Sequence, residues 1–259
     1  MELNGVGQRV FRVWQEHDTT LIRVYASAGS ARREQRAFEV LRNVMNMPTI
    51  VESGSVDEVH WVRFVDPGHW TAATLPHNYS AAEQAGAIVR SLQKLDPSHL
   101  SNLSTGIVAS QVASDFVSVF ERIERYRGRL DLPRKAIDAA LATRPPPASD
   151  PVPSHTAPRP QKFFIAEDGT VTLFDWVWAT PAPPEWDASL AWWAFLRSGG
   201  EQAAAAFERG FAAPITHEST RPWIIYHLGS HLLRTAENQS GRLESVAGDV
   251  QELCDLVGV

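Results

Sequence analysis

The chain has 259 residues, of which 44% are hydrophobic and 21% are charged, and its formal net charge is −6. This size and balance are typical of a folded protein with one bilobal domain or two small ones. They count against long disordered regions and against a nucleic-acid surface, which usually needs a basic excess. The single cysteine excludes a disulfide framework or a thiolate metal cluster.

A β-hairpin is predicted first. Residues 5–25 alternate apolar and polar side chains around a polar turn, and the first strand opens on Gly5 and Gly7. Arg23 lies in the second strand. Residues 31–43 then repeat apolar side chains at helical spacing, with Glu34 on a neighbouring face. Two interpretations of Arg23 and Glu34 are open at this point: a bidentate ion pair inside the fold, or two solvated charges on its surface.

Two further strands are predicted over residues 49–53 and 60–65, on either side of a polar turn. Pro67-Gly68 marks another turn, so we place the boundary between two lobes there. The first lobe, residues 1–68, is then rich in strands, and the second comprises residues 69–259.

Helical patterns dominate after this boundary. Ser80 is the predicted N-cap of a helix that reaches Leu95, with Glu83 completing a capping box. Prolines between residues 145 and 153 exclude a helix and predict an extended segment. Further helices are predicted over residues 108–127, 133–143, 187–196, 202–211, 222–236 and 243–256.

The segment from residue 154 to residue 187 carries the candidate chemistry. Two short strands are predicted over residues 162–166 and 171–175, joined by an Asp-Gly turn, which is a strong hairpin signal. His155 lies in the loop that enters the first strand, and Asp175 closes the second.

This segment resembles the catalytic segment of the aminoglycoside phosphotransferase and choline kinase families, which share the protein-kinase fold. The family pattern is His-Gly-Asp, an Asn that enters a strand, a hairpin, and a second strand that ends in Asp followed by Trp or Phe. His155, Pro160 and Asp175-Trp176 fit this pattern, and Asp187 fits a later aspartate that braces the loop. The resemblance implies an α+β, bilobal protein-kinase-like fold, with a small antiparallel β lobe and a larger, mainly helical lobe carrying this hairpin.

Three positions depart from the family pattern. Ala157 stands where the resemblance implies the aspartate that accepts the proton of the substrate hydroxyl, and Lys162 stands where it implies a magnesium-binding asparagine. Arg23 replaces the strand lysine that holds the phosphates of the nucleotide. The resemblance also implies that Glu34 orients the residue at position 23, which favours the ion pair, and that His155 supports the loop rather than performing chemistry.

Lys162 cannot ligate a hard cation, and two like charges ~4 Å apart repel by about 4 kcal/mol at an intermediate dielectric. Three interpretations stay open. In the first, Lys162 pairs with Asp175 and remodels the nucleotide site. In the second, Lys162 and Arg23 clamp the phosphates of ATP without a metal. In the third, Lys162 points to solvent and Asp175 caps a turn. Asp175 is a metal ligand only if magnesium binds.

Histidine and tryptophan raise two smaller questions. His227 and His231 stand four residues apart on a predicted helix, but leucines around them favour a packed helix over a metal pair. Nine tryptophans, several of them near the candidate segment, favour a tryptophan-rich core wall over a stacking platform for a ligand.

The first functional hypothesis is a degenerate phosphotransferase of the pseudokinase type. It binds a small molecule or a protein partner in the interlobe cleft, for example as an accessory subunit in natural-product or peptide tailoring. The alternative is an active phosphotransferase that uses ATP and magnesium on a small hydroxylated or amino compound, with Asp150 or Asp175 as a displaced base. A third hypothesis is an enzyme that reuses the cleft for different chemistry.

A cytoplasmic location is expected, with neither a nucleic-acid nor a membrane partner. The start of the chain lacks the basic and apolar regions of a signal peptide. No apolar run approaches the roughly 20 residues that span a bilayer.

Overall fold

The computed structural model describes residues 2–5, 8–15, 18–101, 112–145, 150–239 and 243–259. An antiparallel five-stranded sheet is formed before residue 66, with the strand order β1-β2-β3-β5-β4. Its strands are β1 (Glu2–Gly5), β2 (Gln8–Gln15), β3 (Asp18–Tyr25), β4 (Ile50–Val56) and β5 (Val59–Val65). The predicted hairpin is therefore present as β2 and β3, and β1 was not predicted.

Gly5 does not open the first hairpin strand as predicted. It ends β1, where it pairs with Gln8 at the start of β2. Gly7 and the first two residues of the predicted polar turn, Glu16 and His17, lie outside the described residues.

Helix α1 (Ala28–Leu41) covers one face of this sheet. Its Phe38 meets Phe64 of β5, with 5.2 Å between the ring centroids. Phe64 in turn meets Phe174 edge-on at 5.0 Å, so the apolar core continues from the sheet into the candidate segment. At the predicted boundary, Gly68 has φ +148° and its backbone lies directly against that of Ile165, which leaves no space for a side chain.

The rest of the chain is mainly helical, with two small sheets. Strands β6, β8 and β9 form one antiparallel sheet, and β7 pairs with β10. The strands are β6 (Trp70–Thr71), β7 (Val152–Ser154), β8 (Phe163–Ile165), β9 (Val171–Leu173) and β10 (Thr180–Ala182). The helices are α2 (Tyr79–Gln93), α3 (Ser98–Ser101), α4 (Val112–Glu124), α5 (Arg127–Leu130), α6 (Arg134–Ala142), α7 (Pro184–Phe211), α8 (His217–Asn238) and α9 (Ala247–Val257).

This architecture is the α+β, bilobal protein-kinase-like fold that the resemblance implied, with an antiparallel sheet lobe and a larger helical part. The exact division at residue 68 stays a prediction. Among the described helices, none combines the length and the apolar character that a membrane span requires.

Three local predictions had different outcomes: one was wrong, one lies partly outside the described residues, and one was confirmed. The N-cap of α2 is Asn78, whose side chain accepts a hydrogen bond from the N–H of Ala81 at 3.1 Å, and not Ser80, which lies inside the helix. The helix predicted from residue 108 is described only from Val112 onwards, because residues 108–111 lie outside the described ranges. The two helices predicted on either side of residue 200 are confirmed as the two parts of α7, because the helix is interrupted at Gly200, where φ is +72°.

The α2–α7 contact depends on the absence of a side chain at Gly86, where a Cβ atom would clash with the carbonyl of Phe207. We expect Gly86→Ala to lower the free energy of unfolding by about 3 kcal/mol, because backbone atoms cannot move aside cheaply. Gly128→Ala is the control, since a Cβ atom there meets open space. Urea denaturation measures both variants, and a Gly86→Ala protein as stable as the parent would contradict this packing.

Candidate functional site

Four charged side chains meet between the sheet lobe and the helical part: Arg23 of β3, Glu34 of α1, Lys162 of a 3₁₀ turn before β8, and Asp175 just after β9. We call them the charge cluster. The Nη1 atom of Arg23 donates to Oε1 of Glu34 at 2.8 Å, and its Nη2 atom donates to Oδ1 of Asp175. The Nζ atom of Lys162 donates to Oδ2 of the same aspartate. Each oxygen of Asp175 therefore accepts from a different cation.

Burial distinguishes this cluster from a surface salt bridge. The side chains of Arg23 and Glu34 are 2% and 0% exposed, so they are not two solvated charges. Those of Lys162 and Asp175 are 32% and 15% exposed, and they touch each other, so Lys162 does not simply point to solvent. Lys162 was predicted on a strand, but it ends the 3₁₀ turn Pro160–Lys162, and the strand begins one residue later.

Glu34 is held by further donors that the sequence patterns did not identify. The hydroxyl of Tyr25 donates to its Oε2 atom, and the backbone N–H of Trp176 donates to its Oε1 atom at 2.8 Å. Tyr25 follows Arg23 by two residues on the same strand, so the period of two could have placed both on one face. The Trp176 contact involves a backbone group and leaves no trace in the sequence.

The electrostatics follow from this geometry. Burial alone would raise the pKa of Asp175, but Arg23 and Lys162 outweigh it and hold that pKa well below its ordinary value. Burial alone would lower the pKa of Arg23, but Glu34 and Asp175 outweigh it and raise that pKa. Burial raises the pKa of Glu34, and Arg23 opposes this. Two cations and two carboxylates share the cluster, which is therefore formally neutral.

Asp175 also has a strained backbone, with φ +77° and ψ +63° in the left-handed region. Such a conformation in a residue other than glycine costs on the order of 1 kcal/mol or more and persists where the surroundings fix it. Here the two cations on its side chain, and the hydrogen bond of the next residue to Glu34, fix it.

The loop that enters the segment is braced at its start by Asp187. The N–H groups of His155 and Thr156 donate to the two oxygens of Asp187 at 2.6 and 2.9 Å. The Nδ1 atom of His155 accepts from the N–H of Ala157 at 3.3 Å, which leaves Nε2 to donate to the carbonyl of Phe174 at 3.0 Å. Burial lowers the pKa of His155 to about 4, so its ring is neutral at pH 7 and supports the loop.

The residues at the three positions considered for a catalytic base differ in their ability to accept a proton and in their distance from the cluster. Ala157 follows the two anchored residues of this loop, and its methyl group cannot accept a proton. Asp175 is near, but both of its oxygens are engaged by cations. Asp150 is exposed, and no contact between it and the cluster is found in the described part of the chain.

Magnesium does not fit this donor set. The ion prefers oxygen ligands in an octahedral arrangement, and Asp175 would have to give up Lys162 or Arg23 to supply one. The ammonium of Lys162 stands where the family pattern places an oxygen ligand. Across the described ranges, no group of three or more His, Cys, Asp or Glu side chains is placed to hold a metal ion.

His227 and His231 have separate packing roles. His227 is buried edge-on against Trp186, and its Nε2 atom lies 3.3 Å from the carbonyl of that residue. His231 lies 3.3 Å from Asp249. The tryptophans of the segment are mostly core residues, as predicted, but Trp178 is 50% exposed and stacks against the guanidinium of Arg33.

Comparison with known proteins agrees with this fold. The family described as "Phosphotransferase enzyme family" (APH) matches residues 3–223. No curated protein gives a significant match.

Solved structures of similar fold include spectinomycin phosphotransferase APH(9)-Ia in complex with ADP and spectinomycin, at 12% identity and a TM-score of 0.64, covering 100% of this chain and 92% of that one. A thermostable mutant of aminoglycoside phosphotransferase APH(4)-Ia in its apo form has 16% identity and a TM-score of 0.70, with coverages of 99% and 92%. Plasmodium vivax ethanolamine kinase has 13% identity and a TM-score of 0.61, with coverages of 100% and 82%. Identities this low establish the shared fold alone.

The forked shape of Arg23 gives a test of the cluster. A lysine has one nitrogen and cannot reproduce two separate guanidinium contacts, so we expect Arg23→Lys to lower the free energy of unfolding by about 2 kcal/mol. Arg36→Lys is the matched control, because Arg36 pairs with Glu39 on the exposed face of α1 and such pairs contribute about 0.5 kcal/mol or less. Equal effects of the two substitutions in urea denaturation would contradict the bridging role.

Asp187 should give the protein a specific pH dependence. Burial raises its pKa from 3.8 to about 6, so the folded state binds the proton more tightly and loses stability from this group as the pH rises between those values. Asp187→Asn removes the hydrogen bonds that the carboxylate accepts. It also removes the loss of stability that accompanies ionisation of the buried carboxyl. The stability deficit of the variant should therefore be larger near pH 4.5 than near pH 7.5, by about 2 kcal/mol.

Asp168→Asn is the control for this prediction. The N–H of Thr170 lowers the pKa of the exposed Asp168, so its contribution has the opposite sign and is lost as the pH falls. Urea denaturation at both pH values measures the two variants. If the Asp187→Asn deficit does not shrink at the higher pH, the carboxyl of Asp187 is not the buried group that the geometry indicates.

Proposed function

We propose that this chain, which belongs to the phosphotransferase enzyme family, is a degenerate member of the pseudokinase type. In this proposal it holds a small molecule or a protein partner in the interlobe cleft and does not carry out ordinary phosphoryl transfer. The main support is the charge cluster, in which both oxygens of Asp175 are paired with cations of the chain itself.

The proton of a substrate hydroxyl has no suitable acceptor in the cluster. Transfer to a substrate hydroxyl needs a group that accepts its proton, and general-base catalysis contributes about 10²–10⁴-fold to the rate. Ala157 cannot accept a proton. Asp175 is a poor substitute, because the cations that lower its pKa also occupy its oxygens. Asp150, the other displaced base considered for an active enzyme, is exposed and makes no contact with the cluster in the described part of the chain.

The cluster is also a poor site for the phosphates of a nucleotide with magnesium. A nucleotide with magnesium brings a divalent cation that must displace Lys162 or approach it, and two unit charges at ~4 Å repel by about 4 kcal/mol at an intermediate dielectric. The cluster is already formally neutral, so it offers little net attraction for the polyanionic phosphates. The repulsion by Lys162 and the neutrality of the cluster together disfavour the binding of magnesium with ATP.

Two observations support the binding of a ligand or a partner in the cleft. The spectinomycin phosphotransferase of similar fold was solved in complex with ADP and spectinomycin, so the scaffold accommodates small ligands. In this chain Trp178, just after the cluster, is half-exposed and stacks on Arg33, which offers a rigid aromatic contact to a ligand or a partner. An accessory subunit of a modifying enzyme, in natural-product or peptide tailoring, is a setting that fits these features.

Isothermal titration with ATP, with and without magnesium, tests the proposal. We expect the parent protein to show no magnesium-dependent binding and no transfer of phosphate. Lys162→Asn removes the cation and supplies an amide oxygen, so it should make ATP binding about tenfold stronger with magnesium than without it. Lys135→Asn, on the exposed side of α6, is the charge-matched control and should behave like the parent.

Magnesium-dependent ATP binding with phosphate transfer by the parent protein would overturn the proposal and favour an active phosphotransferase. If Lys162→Asn gains no dependence on magnesium, Lys162 does not exclude the metal, and that part of the explanation is wrong. Near-ultraviolet circular dichroism of each variant verifies that its packing is intact.

A further inference from the structure

A cavity of about 240 Å³ lies in the helical part, separate from the residues of the charge cluster. The loop that begins at His155 contributes Arg159 and Gln161 to it, α7 contributes Trp193 and Arg197, and α8 contributes His231. This volume is below the range of about 300–1,000 Å³ that is typical of pockets for drug-sized ligands, so it suits a small molecule.

The two arginines that line the cavity differ in their partners. Arg197 is compensated, since its Nη2 atom lies 2.7 Å from Asp249 and its Nε atom 3.5 Å from Glu252. It also lies over the ring of Trp193, with 5.0 Å to the centroid. Arg159 is partly buried, and in the described part of the chain its guanidinium has neither an ion-pair partner nor a hydrogen-bond acceptor.

The surroundings of Arg159 are themselves cationic. Burial lowers its pKa, and the positive charges of Arg234 and Arg197 lower it further, while Asp249 alone opposes them. Burial likewise lowers the pKa of His231, which lies 3.3 Å from Asp249. A partly buried cation with cationic neighbours is unfavourable unless an anion compensates it. An amine-bearing ligand would be repelled here.

We propose that this cavity binds the oxyanion group of a small molecule, a carboxylate or a phosphate, through the guanidinium of Arg159. A guanidinium presents several donors in a plane and matches both groups with two parallel hydrogen bonds. The amide of Gln161 adds a donor, and Trp193 supplies an apolar wall for the remainder of the ligand.

The site is linked to the charge cluster through the chain. Arg159 begins the turn that ends at Lys162, and its carbonyl accepts a hydrogen bond from the N–H of Lys162 at 2.8 Å. An anion that fixes the side chain of Arg159 therefore also fixes the turn that presents Lys162 to Asp175. The residues that line this cavity are not those of the charge cluster, so anion binding here does not require the proposed function.

Isothermal titration of the full-length protein with inorganic phosphate and, separately, with malonate tests this site at low ionic strength. We expect the parent protein to bind at least one of the two. Arg159→Gln should weaken that binding about tenfold or more, because it removes the charged donors. Arg36→Gln, which removes an exposed arginine from α1, should leave it unchanged.

Gln161→Glu provides a second variant that keeps Arg159. It places a carboxylate at an exposed position of the cavity, where it would pair with the guanidinium and compete with the ligand, so it should weaken binding to a similar degree. If Arg159→Gln does not fold, this variant shows whether the guanidinium of Arg159 binds the anion. Stronger binding of malonate would identify a carboxylate ligand, and stronger binding of phosphate a phosphate ester.

Two results would overturn the inference: binding of neither probe by the parent protein, or binding by a folded Gln161→Glu or Arg159→Gln variant as strong as that of the parent. No nucleotide enters these titrations. A negative result with phosphate and malonate is therefore independent of the result of the ATP titration that tests the proposed function.

Discussion

The structure depends on one buried arginine that serves two carboxylates. Arg23 joins Glu34, eleven residues away in the sheet lobe, to Asp175, which is 152 residues away and follows the second hairpin strand. Because Glu34 is fully buried, it needs a cationic partner, and removing one partner of such a pair typically costs about 3–5 kcal/mol. The same side chain therefore stabilises the sheet lobe and sets the position of the helical part relative to it.

This contact constrains function as well as stability. The two ion pairs that fix Asp175 also make its oxygens less available to a metal ion, because Arg23 takes one oxygen and Lys162 takes the other. Two features that look independent in the sequence, an arginine at position 23 and a lysine at position 162, thus act on one carboxylate. The same two side chains stabilise the fold and occupy both oxygens of Asp175, which is the observation on which the proposed loss of phosphoryl transfer depends.

Sequence patterns predicted the elements and the candidate positions well, and the contacts poorly. Periodicity found the hairpin of β2 and β3 and most helices, and the spacing of the motif located Asp175 and Asp187. The sequence patterns missed the N-cap Asn78, because propensity does not distinguish neighbouring capping residues. They placed Lys162 on a strand, because a 3₁₀ turn has no distinctive period. The hydrogen bond from the backbone of Trp176 to Glu34 could not have been predicted, since any residue supplies an N–H group.

The loop from residue 155 to residue 162 connects these constraints. Asp187 holds its first two backbone N–H groups, and the contact between Lys162 and Asp175 holds its end, so both ends are fixed by buried or partly buried carboxylates. Between them, the guanidinium of Arg159 has no carboxylate at ion-pair distance among the described residues, although the charge of Asp249 acts on it. The loop is therefore fixed at both ends and carries a guanidinium without an ion-pair contact near its centre. An anion bound at Arg159, as proposed, would act on the turn that ends at Lys162, and so on the contact between Lys162 and Asp175 that anchors the end of the loop.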